Sequence, residues 1–179
     1  GNQAVAAQRA GVSARMFGAV GQDAFGAFLL AALDRAGVDR RPVRTLAEAG
    51  SGMSVAIQDP DGEYAATIVS GANLRLDPAA LADPALWQGV AVLVLQNEIP
   101  EKVNLAAASE ARRRGVTVVL NAAPARVLSA DLRHQVDVLV VHLALPAPVT
   151  PAAEIDDAEW RRVFAHLGAW AADDATRRR

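Results

Sequence analysis

The 179-residue sequence contains no cysteine, and almost all of its basic residues are arginine. Without cysteine there is no disulfide framework and no thiolate metal site, which is typical of a reducing compartment and predicts a cytoplasmic location. The 18 basic residues are scattered and nearly balanced by 20 acidic ones. No basic stripe suited to a phosphate backbone results, so nucleic acid is not an expected partner.

Long apolar runs are also lacking. No run approaches the roughly 18 residues that span a bilayer, and the sequence does not open with a basic segment followed by an apolar one. We therefore expect neither a membrane partner nor a secretory leader. Apolar residues nevertheless make up 52% of the chain, enough for the core of one domain.

Histidine is scarce, and the three that occur are His134, His142 and His166. None has a second histidine at the spacing of a metal site, and no serine-histidine-aspartate arrangement is indicated. The sequence therefore predicts no metal ligands and no hydrolase triad. A dinucleotide-binding fold is excluded as well, because no Gly-x-Gly-x-x-Gly follows a predicted strand.

The first third of the chain predicts a helix, a strand and a second helix. The helix begins at Asn2 and ends where Gly11 can adopt a left-handed conformation. A short apolar strand over residues 16–20 follows. Asp23 is placed to cap the next helix, which ends at Gly37.

The middle of the chain predicts a β-hairpin and then parallel strands. Residues 52–70 hold two β-rich runs separated by the turn sequence Asp-Pro-Asp-Gly. Residues 90–95, 116–120 and 136–141 are continuous apolar runs, the first two separated by a helical stretch over residues 101–114. Such runs are typical of parallel strands buried on both faces in a layered α/β fold.

The last part of the chain has a different character. Residues 143–153 hold three prolines and cannot continue a helix or a central strand. Residues 157–172 predict an amphipathic helix, and a basic tail follows. We therefore divide the chain into an α/β core, residues 1–142, and a proline-rich linker with a helix and tail, residues 143–179. The apolar face of that helix would consist of Trp160, Val163, Phe164, Leu167 and Trp170.

Six ordered blocks within residues 1–141 resemble the ribokinase-like (PfkB) carbohydrate kinases. They read GNQAVAAQRAG, VGQDAFG, SGANLRL, LVLQNEIP, VVLNAAPAR and VDVLVV. SGAN and LNAAPAR are closest to the ribokinase branch. The resemblance implies a layered α/β ribokinase-like fold with a mostly parallel central sheet and a small β-hairpin lid. It also implies phosphorylation of a sugar, ribose foremost, with ATP and Mg²⁺.

The resemblance implies a sugar site formed by Gly1, Asn2 and Glu98. Gly1 and Asn2 match the end of the family's glycine-rich segment, where an amide meets vicinal hydroxyls. Glu98 matches the family carboxylate that accepts from sugar hydroxyls, just beyond the end of a parallel strand. The alternatives are a helix N-cap for Asn2 and a solvated first-turn residue for Glu98, with Pro100 at the first helical position.

Three further features carry expectations. The hairpin at residues 52–70 would be the lid and would also form a homodimer contact, the alternative being an edge hairpin packed on its own domain. Asn121 and His142 are candidates for nucleotide or phosphate binding, although a capping or turn role fits Asn121 equally. The arginines at 112–114 are expected to form a solvated face.

Parts of the family pattern are absent. His142, Leu143, Ala144 and Leu145 stand in place of the Asn-Glu-x-Glu segment that helps to place magnesium and phosphate. We find neither the Gly-Ala-Gly-Asp block, which carries the catalytic base and the anion hole, nor the first strand with its sugar-binding aspartate. The fold is thus expected to be incomplete, and no catalytic residue is assigned.

Because base, anion hole and nucleotide site are absent, this chain alone is expected to be inactive. A disrupted gene, a partial expression product or one chain of a split protein would each explain the pattern. The alternative is a non-catalytic remnant that binds sugar or associates through its hairpin.

Overall fold

The computed structural model describes residues 1–58 and 64–141, which form two compact units. The first unit comprises residues 1–89 and 98–107. The second comprises residues 90–97 and the described residues from 108 onward. The hairpin turn, the proline-rich linker, the amphipathic helix, His142 and His166 lie outside the described residues.

The first unit contains two helices, a parallel strand pair, a hairpin and three short 3₁₀ helices. Its elements are α1 (Asn2–Arg9), β1 (Gly18–Gly21), α2 (Ala24–Arg35), β2 (Val43–Leu46), β3 (Met53–Gln58), β4 (Tyr64–Val69) and the 3₁₀ helices Gly71–Arg75, Pro78–Ala82 and Pro84–Trp87. The start of α3 (Glu101–Arg113) also belongs to it.

The helix ends follow the predicted signals. Gly11 follows α1 with φ +84°, and Gly37 follows α2 with φ +75°, the left-handed region that glycine adopts without a steric penalty. The Asp23 side chain caps α2 by accepting a hydrogen bond from the Gly26 N–H at 2.7 Å. These predictions are confirmed. None of the residues of α1 is buried.

β1 and β2 are parallel, with register running from Gly18 opposite Val43 to Gly21 opposite Leu46. All four residues of β1 are buried, whereas in β2 only Leu46 is buried. The sequence does not predict β2, because Val43–Leu46 holds one polar and one charged residue and has no apolar run.

An arginine joins the region before β1 to the last 3₁₀ helix. The Arg15 Nε donates to Asp39 at 2.8 Å, and its Nη1 donates to the backbone oxygens of Leu86 at 2.7 Å and Ala85 at 3.2 Å. A guanidinium can satisfy several acceptors at once, because its donors point in fixed directions. Arg15 therefore connects segments about 70 residues apart in the chain.

β3 and β4 form the predicted antiparallel hairpin, with Met53 opposite Val69 and Gln58 opposite Tyr64. Residues at alternate positions share a face of a strand, and directly opposed residues share it across the pair. Val55, Ile57 and Val69 therefore lie on one face, and all three are exposed.

The second unit contains a three-stranded parallel sheet. Its elements are β5 (Val92–Gln96), the end of α3, β6 (Thr117–Asn121), α4 (Ala130–Arg133) and β7 (Val138–Val140). The strand order is β5-β6-β7, which confirms the predicted parallel arrangement.

The prediction that these strands are buried on both faces is wrong for the described residues. Leu95, Val118 and Leu120 are buried on one face, whereas Val94 and Val140 on the other are each 48% exposed. A continuous apolar run shows that a strand is hydrophobic but does not show that both of its faces are covered. Here the described elements cover one face.

Each unit has its own buried apolar side chains. Those of the first unit include Val20, Leu33, Leu46, Leu76, Leu81, Trp87 and Val103, and those of the second include Leu95, Val116, Val118, Leu120, Leu132 and Val136. Within the described ranges, no helix combines the length and the apolar character needed to cross a membrane.

Candidate functional site

The first turn of α1 presents the Asn2 amide to solvent. Gly1 is the N-cap, and its carbonyl accepts from the Val5 N–H at 3.0 Å. Asn2 is therefore the first residue of the helix and not its cap. The alternative of a capping role for Asn2 is wrong, and its exposed side chain is available for another role.

Glu98 lies in the turn between β5 and α3. β5 ends at Gln96, and the Pro100 carbonyl accepts from the Val103 N–H at 2.9 Å, which starts α3. Pro100 is therefore at the N-cap and not at the first helical position. Glu98 precedes it by two residues, so it is not in the first turn of the helix. It is exposed just beyond the carboxyl end of a parallel strand, as predicted.

Gly1 and Glu98 both belong to the first unit, and their charges interact. Desolvation by the surrounding chain lowers the pKa of the Gly1 amino group, although much of this residue remains accessible, and the negative charge of Glu98 acts in the opposite direction. An electrostatic effect of this kind requires proximity. Two segments that are about 100 residues apart in sequence thus lie within electrostatic range of each other.

A second polar cluster connects β1, α2 and the hairpin. The Ser51 N–H donates to Asp23 Oδ2 at 2.7 Å, and the Ser51 hydroxyl donates to Asp23 Oδ1 at 2.7 Å. The same hydroxyl accepts from the Gly21 N–H at 2.9 Å. These Ser51 hydrogen bonds, followed by that of the Gly26 N–H, hold the pKa of Asp23 below its usual value.

Only part of this cluster is predicted by the sequence. The position of Asp23 before α2 predicts a helix cap, but nothing nearby predicts its pairing with Ser51, 28 residues away. A partial signal is present in the Gly-Ser-Gly sequence at 50–52, since small residues are typical of close backbone approach.

An open groove lies beside the hairpin roots and measures about 530 Å³. Glycine backbone and a few side chains line it, and none of these side chains is both charged and buried. The lining residues are Glu48, Ala49, Gly50, Gly71, Leu74 and Arg75.

The second unit holds Asn121 and a buried asparagine for which the sequence predicts no role. Asn121 ends β6, is half-buried, and lies opposite Gln96. Asn97 is 5% exposed, and its Nδ2 donates to the Pro124 carbonyl at 3.0 Å. The Asn97 Oδ1 has no hydrogen-bond partner among the described residues. The peptide bond between Ala123 and Pro124 is cis.

Charged side chains elsewhere are engaged with one another. Glu110 is buried and accepts from Arg113 and Arg114, and Arg112 donates to Asp137 at 3.0 Å. The three arginines are exposed, as predicted. No group of three or more histidine, aspartate or glutamate side chains in the described ranges is placed to hold a metal ion.

The sequence matches a known family over most of its length. The pattern described as "pfkB family carbohydrate kinase" covers residues 1–144 of the 179. The chain belongs to the pfkB family of carbohydrate kinases. The predicted resemblance and the α/β fold class are therefore confirmed.

Curated members of the pfkB family show how much of the family's length is present. Ribokinase from Lactococcus lactis is 35% identical over 140 residues, which cover 76% of this chain and 45% of that protein. Ribokinase from Schizosaccharomyces pombe is 35% identical over 138 residues, which cover 73% and 43% respectively. The chain thus spans less than half the length of these two relatives.

Solved structures of pfkB family members have the same fold. "Arabidopsis thaliana Ribokinase complexed with Ribose and ATP" superposes with a TM-score of 0.75 at 23% identity, covering 94% of this chain and 56% of that one. Ribokinase from Thermotoga maritima superposes with a TM-score of 0.66 at 25% identity, covering 78% and 45%. The first of these likenesses concerns the fold alone.

Proposed function

We propose that this chain is the sugar-binding part of an ATP-dependent sugar kinase whose substrate is ribose. Membership of the pfkB family supports a carbohydrate kinase, and the curated relatives are named ribokinases. The Arabidopsis thaliana ribokinase, which shares the fold, is complexed with ribose and ATP.

The electrostatic effect of Glu98 on the Gly1 amino group is the observation that carries this proposal, because Asn2 follows Gly1 and all three residues belong to one unit. An asparagine amide both donates and accepts, whereas a carboxylate only accepts. Together they suit a pair of neighbouring hydroxyl groups, each of which donates and accepts. We infer that Asn2 and Glu98 bind and orient the sugar.

We infer further that this chain alone does not transfer phosphate. Phosphoryl transfer depends on positioning the reactants and on stabilising the developing charge. The sequence holds no Gly-Ala-Gly-Asp block to supply a base and an anion hole. The described residues also offer no carboxylate cluster that fits magnesium. We therefore assign no step of the reaction to these residues.

Calorimetric titration of the purified chain with ribose tests the sugar site. Glu98→Gln should weaken binding about tenfold or more, because a hydrogen bond to a charged group contributes about 1.5–3 kcal/mol and about 1.4 kcal/mol is a factor of ten. Glu101→Gln makes the same chemical change three residues away and should leave the affinity unchanged.

The Asn2 amide has an equally close control. Asn2→Ala should weaken ribose binding, whereas Gln3→Ala, which removes the neighbouring exposed amide, should not. Absence of ribose binding by the unaltered chain would refute the sugar-site assignment. Ribose-dependent hydrolysis of ATP by the purified chain would refute the proposed inactivity.

A second function is self-association through the hairpin. Val55 and Ile57 are 48% and 61% exposed on the same face of β3, and a two-stranded ribbon with an uncovered apolar face is marginal by itself. A second copy could bury this face. Sedimentation should show a dimer that Ile57→Lys dissociates. Ile68→Lys, on the opposite face of the hairpin, should leave it intact.

A further inference from the structure

The two roots of the hairpin are fixed to each other. β3 begins at Met53 and β4 ends at Val69, and just outside them the Ala72 N–H donates to the Gly50 carbonyl at 2.8 Å. Gly71 has φ +49°, and a Cβ on it would lie 2.4 Å from the Gly50 oxygen. The backbones therefore approach more closely than any residue with a side chain allows.

Asp23 connects these two hairpin roots to the rest of the unit. Its Oδ2 accepts from the Ser51 N–H, and its Oδ1 accepts from both the Ser51 hydroxyl and the Gly26 N–H, each at 2.7 Å. Ser51 is 2% exposed and also accepts from the Gly21 N–H. The Asp23 carboxylate thus joins the start of α2 to the root of the hairpin, and Ser51 links both to the end of β1.

Helix capping alone does not require this arrangement. Asp83 caps the 3₁₀ helix Pro84–Trp87 through a single oxygen, which accepts from the Ala85 N–H at 2.9 Å. Asp23 caps α2 in the same way but uses its second oxygen for Ser51. The additional hydrogen bonds are directed at the hairpin and not at the helix.

The angle at which the hairpin leaves the unit determines where its far end lies. Each strand of the hairpin has six residues, and at about 3.4 Å per residue its far end lies about 20 Å from the root. A rotation of about 10° at the root therefore moves that end by about 3.5 Å. Misplacement of a binding element by about 1 Å is already costly.

We propose that Asp23 is a positioning residue for sugar binding that acts through Ser51 to hold the hairpin at its working angle. This inference rests on the proposed function, because it assigns the hairpin the role of covering the sugar. Asp23 itself does not contact the sugar in this scheme. Its carboxylate sets the orientation of the element that does.

The variant Asp23→Asn separates the two roles of the side chain. The amide oxygen can still accept from the Gly26 N–H and cap α2, but the amide nitrogen cannot accept from the Ser51 N–H. Hydrogen exchange should become faster in β3 and β4 and stay unchanged in α2. Ribose affinity should fall about tenfold, which is a typical size for coupling between a binding site and a distant group.

Two further variants complete the test. Asp83→Asn makes the same change at a cap without the hairpin link and should alter neither readout. Ser51→Ala should reproduce the faster exchange in β3 and β4. Asp23→Asn loses the hydrogen bond from the Ser51 N–H and Ser51→Ala loses the one from its hydroxyl. Because both bonds belong to one contact, exchange in β3 and β4 of the double variant should increase by less than the sum of the two single effects.

The outcomes decide the two proposals separately. Unchanged exchange in the hairpin of Asp23→Asn, or faster exchange in α2 and the hairpin alike, would overturn the positioning role. If the unaltered chain does not bind ribose, the proposed function fails and the role in sugar binding fails with it. The exchange result still shows in that case whether Asp23 holds the hairpin.

Discussion

Replacing Gly26 by alanine sets two well-characterised effects against each other. Gly26 lies in the first turn of α2, and alanine is favoured over glycine in a helix by about 0.8–1.0 kcal/mol. Propensity alone therefore predicts that Gly26→Ala stabilises the protein. The surroundings predict the opposite, because a Cβ at this position would lie 2.1 Å from the Gly21 carbonyl oxygen and 3.0 Å from the Ser51 hydroxyl.

The packing effect should be the larger one. A Cβ essentially never lies within 3.0 Å of another heavy atom, so α2 and the end of β1 would have to separate by about 1 Å. Extra atoms in a well-packed region cost about 1–3 kcal/mol, and a clash with backbone belongs at the upper end. Subtracting the gain in propensity of about 1 kcal/mol leaves a net loss of about 2 kcal/mol.

Thermal and denaturant unfolding measure this balance. A loss of about 2 kcal/mol corresponds to a fall in Tm of about 4–8 °C for a chain of this size. Gly50→Ala is the matched control, because its added Cβ would lie 3.7 Å from Asp23 Oδ2, an ordinary contact. The control should stay within about 0.5 kcal/mol. A Gly26→Ala protein that is more stable than the original would refute the close approach of α2 to β1.

Further predictions concern charge and the sheet. Asp39→Asn should destabilise the protein by about 1 kcal/mol at pH 7, because hydrogen bonds from Arg41 and Arg15 hold the pKa of Asp39 well below its usual value and Arg41 is mostly exposed. A depressed pKa stabilises the fold above the unfolded value of about 3.9, so the difference between variant and original in urea titrations should shrink as the pH falls below about 4. Leu95→Ala should cost about 2–5 kcal/mol, whereas Val94→Thr, on the exposed face of the same strand, should cost less than about 1 kcal/mol. Equal losses for Leu95→Ala and Val94→Thr would show that both faces of β5 are covered.

Elements with local signals could be predicted from the sequence. α2 is bounded by a capping aspartate, Asp23, and a left-handed glycine, Gly37, and both act within a few residues of the helix. The hairpin and the three parallel strands follow from β-rich runs in the same way. For the candidate site, the position of Glu98 beyond the end of β5 is also predicted correctly.

Features that depend on distant contacts could not be predicted. The hydrogen bonds between Asp23 and Ser51 join residues 28 positions apart, and neither residue type predicts which residue it will pair with. The 3₁₀ helices between residues 71 and 87 are too short to show a helical period. The roles of Gly1, Asn2, Glu98 and Asn121 as ligand contacts, the division at residue 142 and the hairpin dimer stay predictions.

The absence of buried residues in α1 has a consequence for any ligand that Asn2 binds. A helix of eight residues is marginal by itself, so we expect the first turn of α1 to exchange between helical and frayed forms. Only the helical form would hold the Asn2 amide in position for the sugar. The apparent dissociation constant for the sugar therefore rises in proportion as the helical fraction falls. A substitution that strengthens α1 on its solvent side should then tighten sugar binding without touching the sugar.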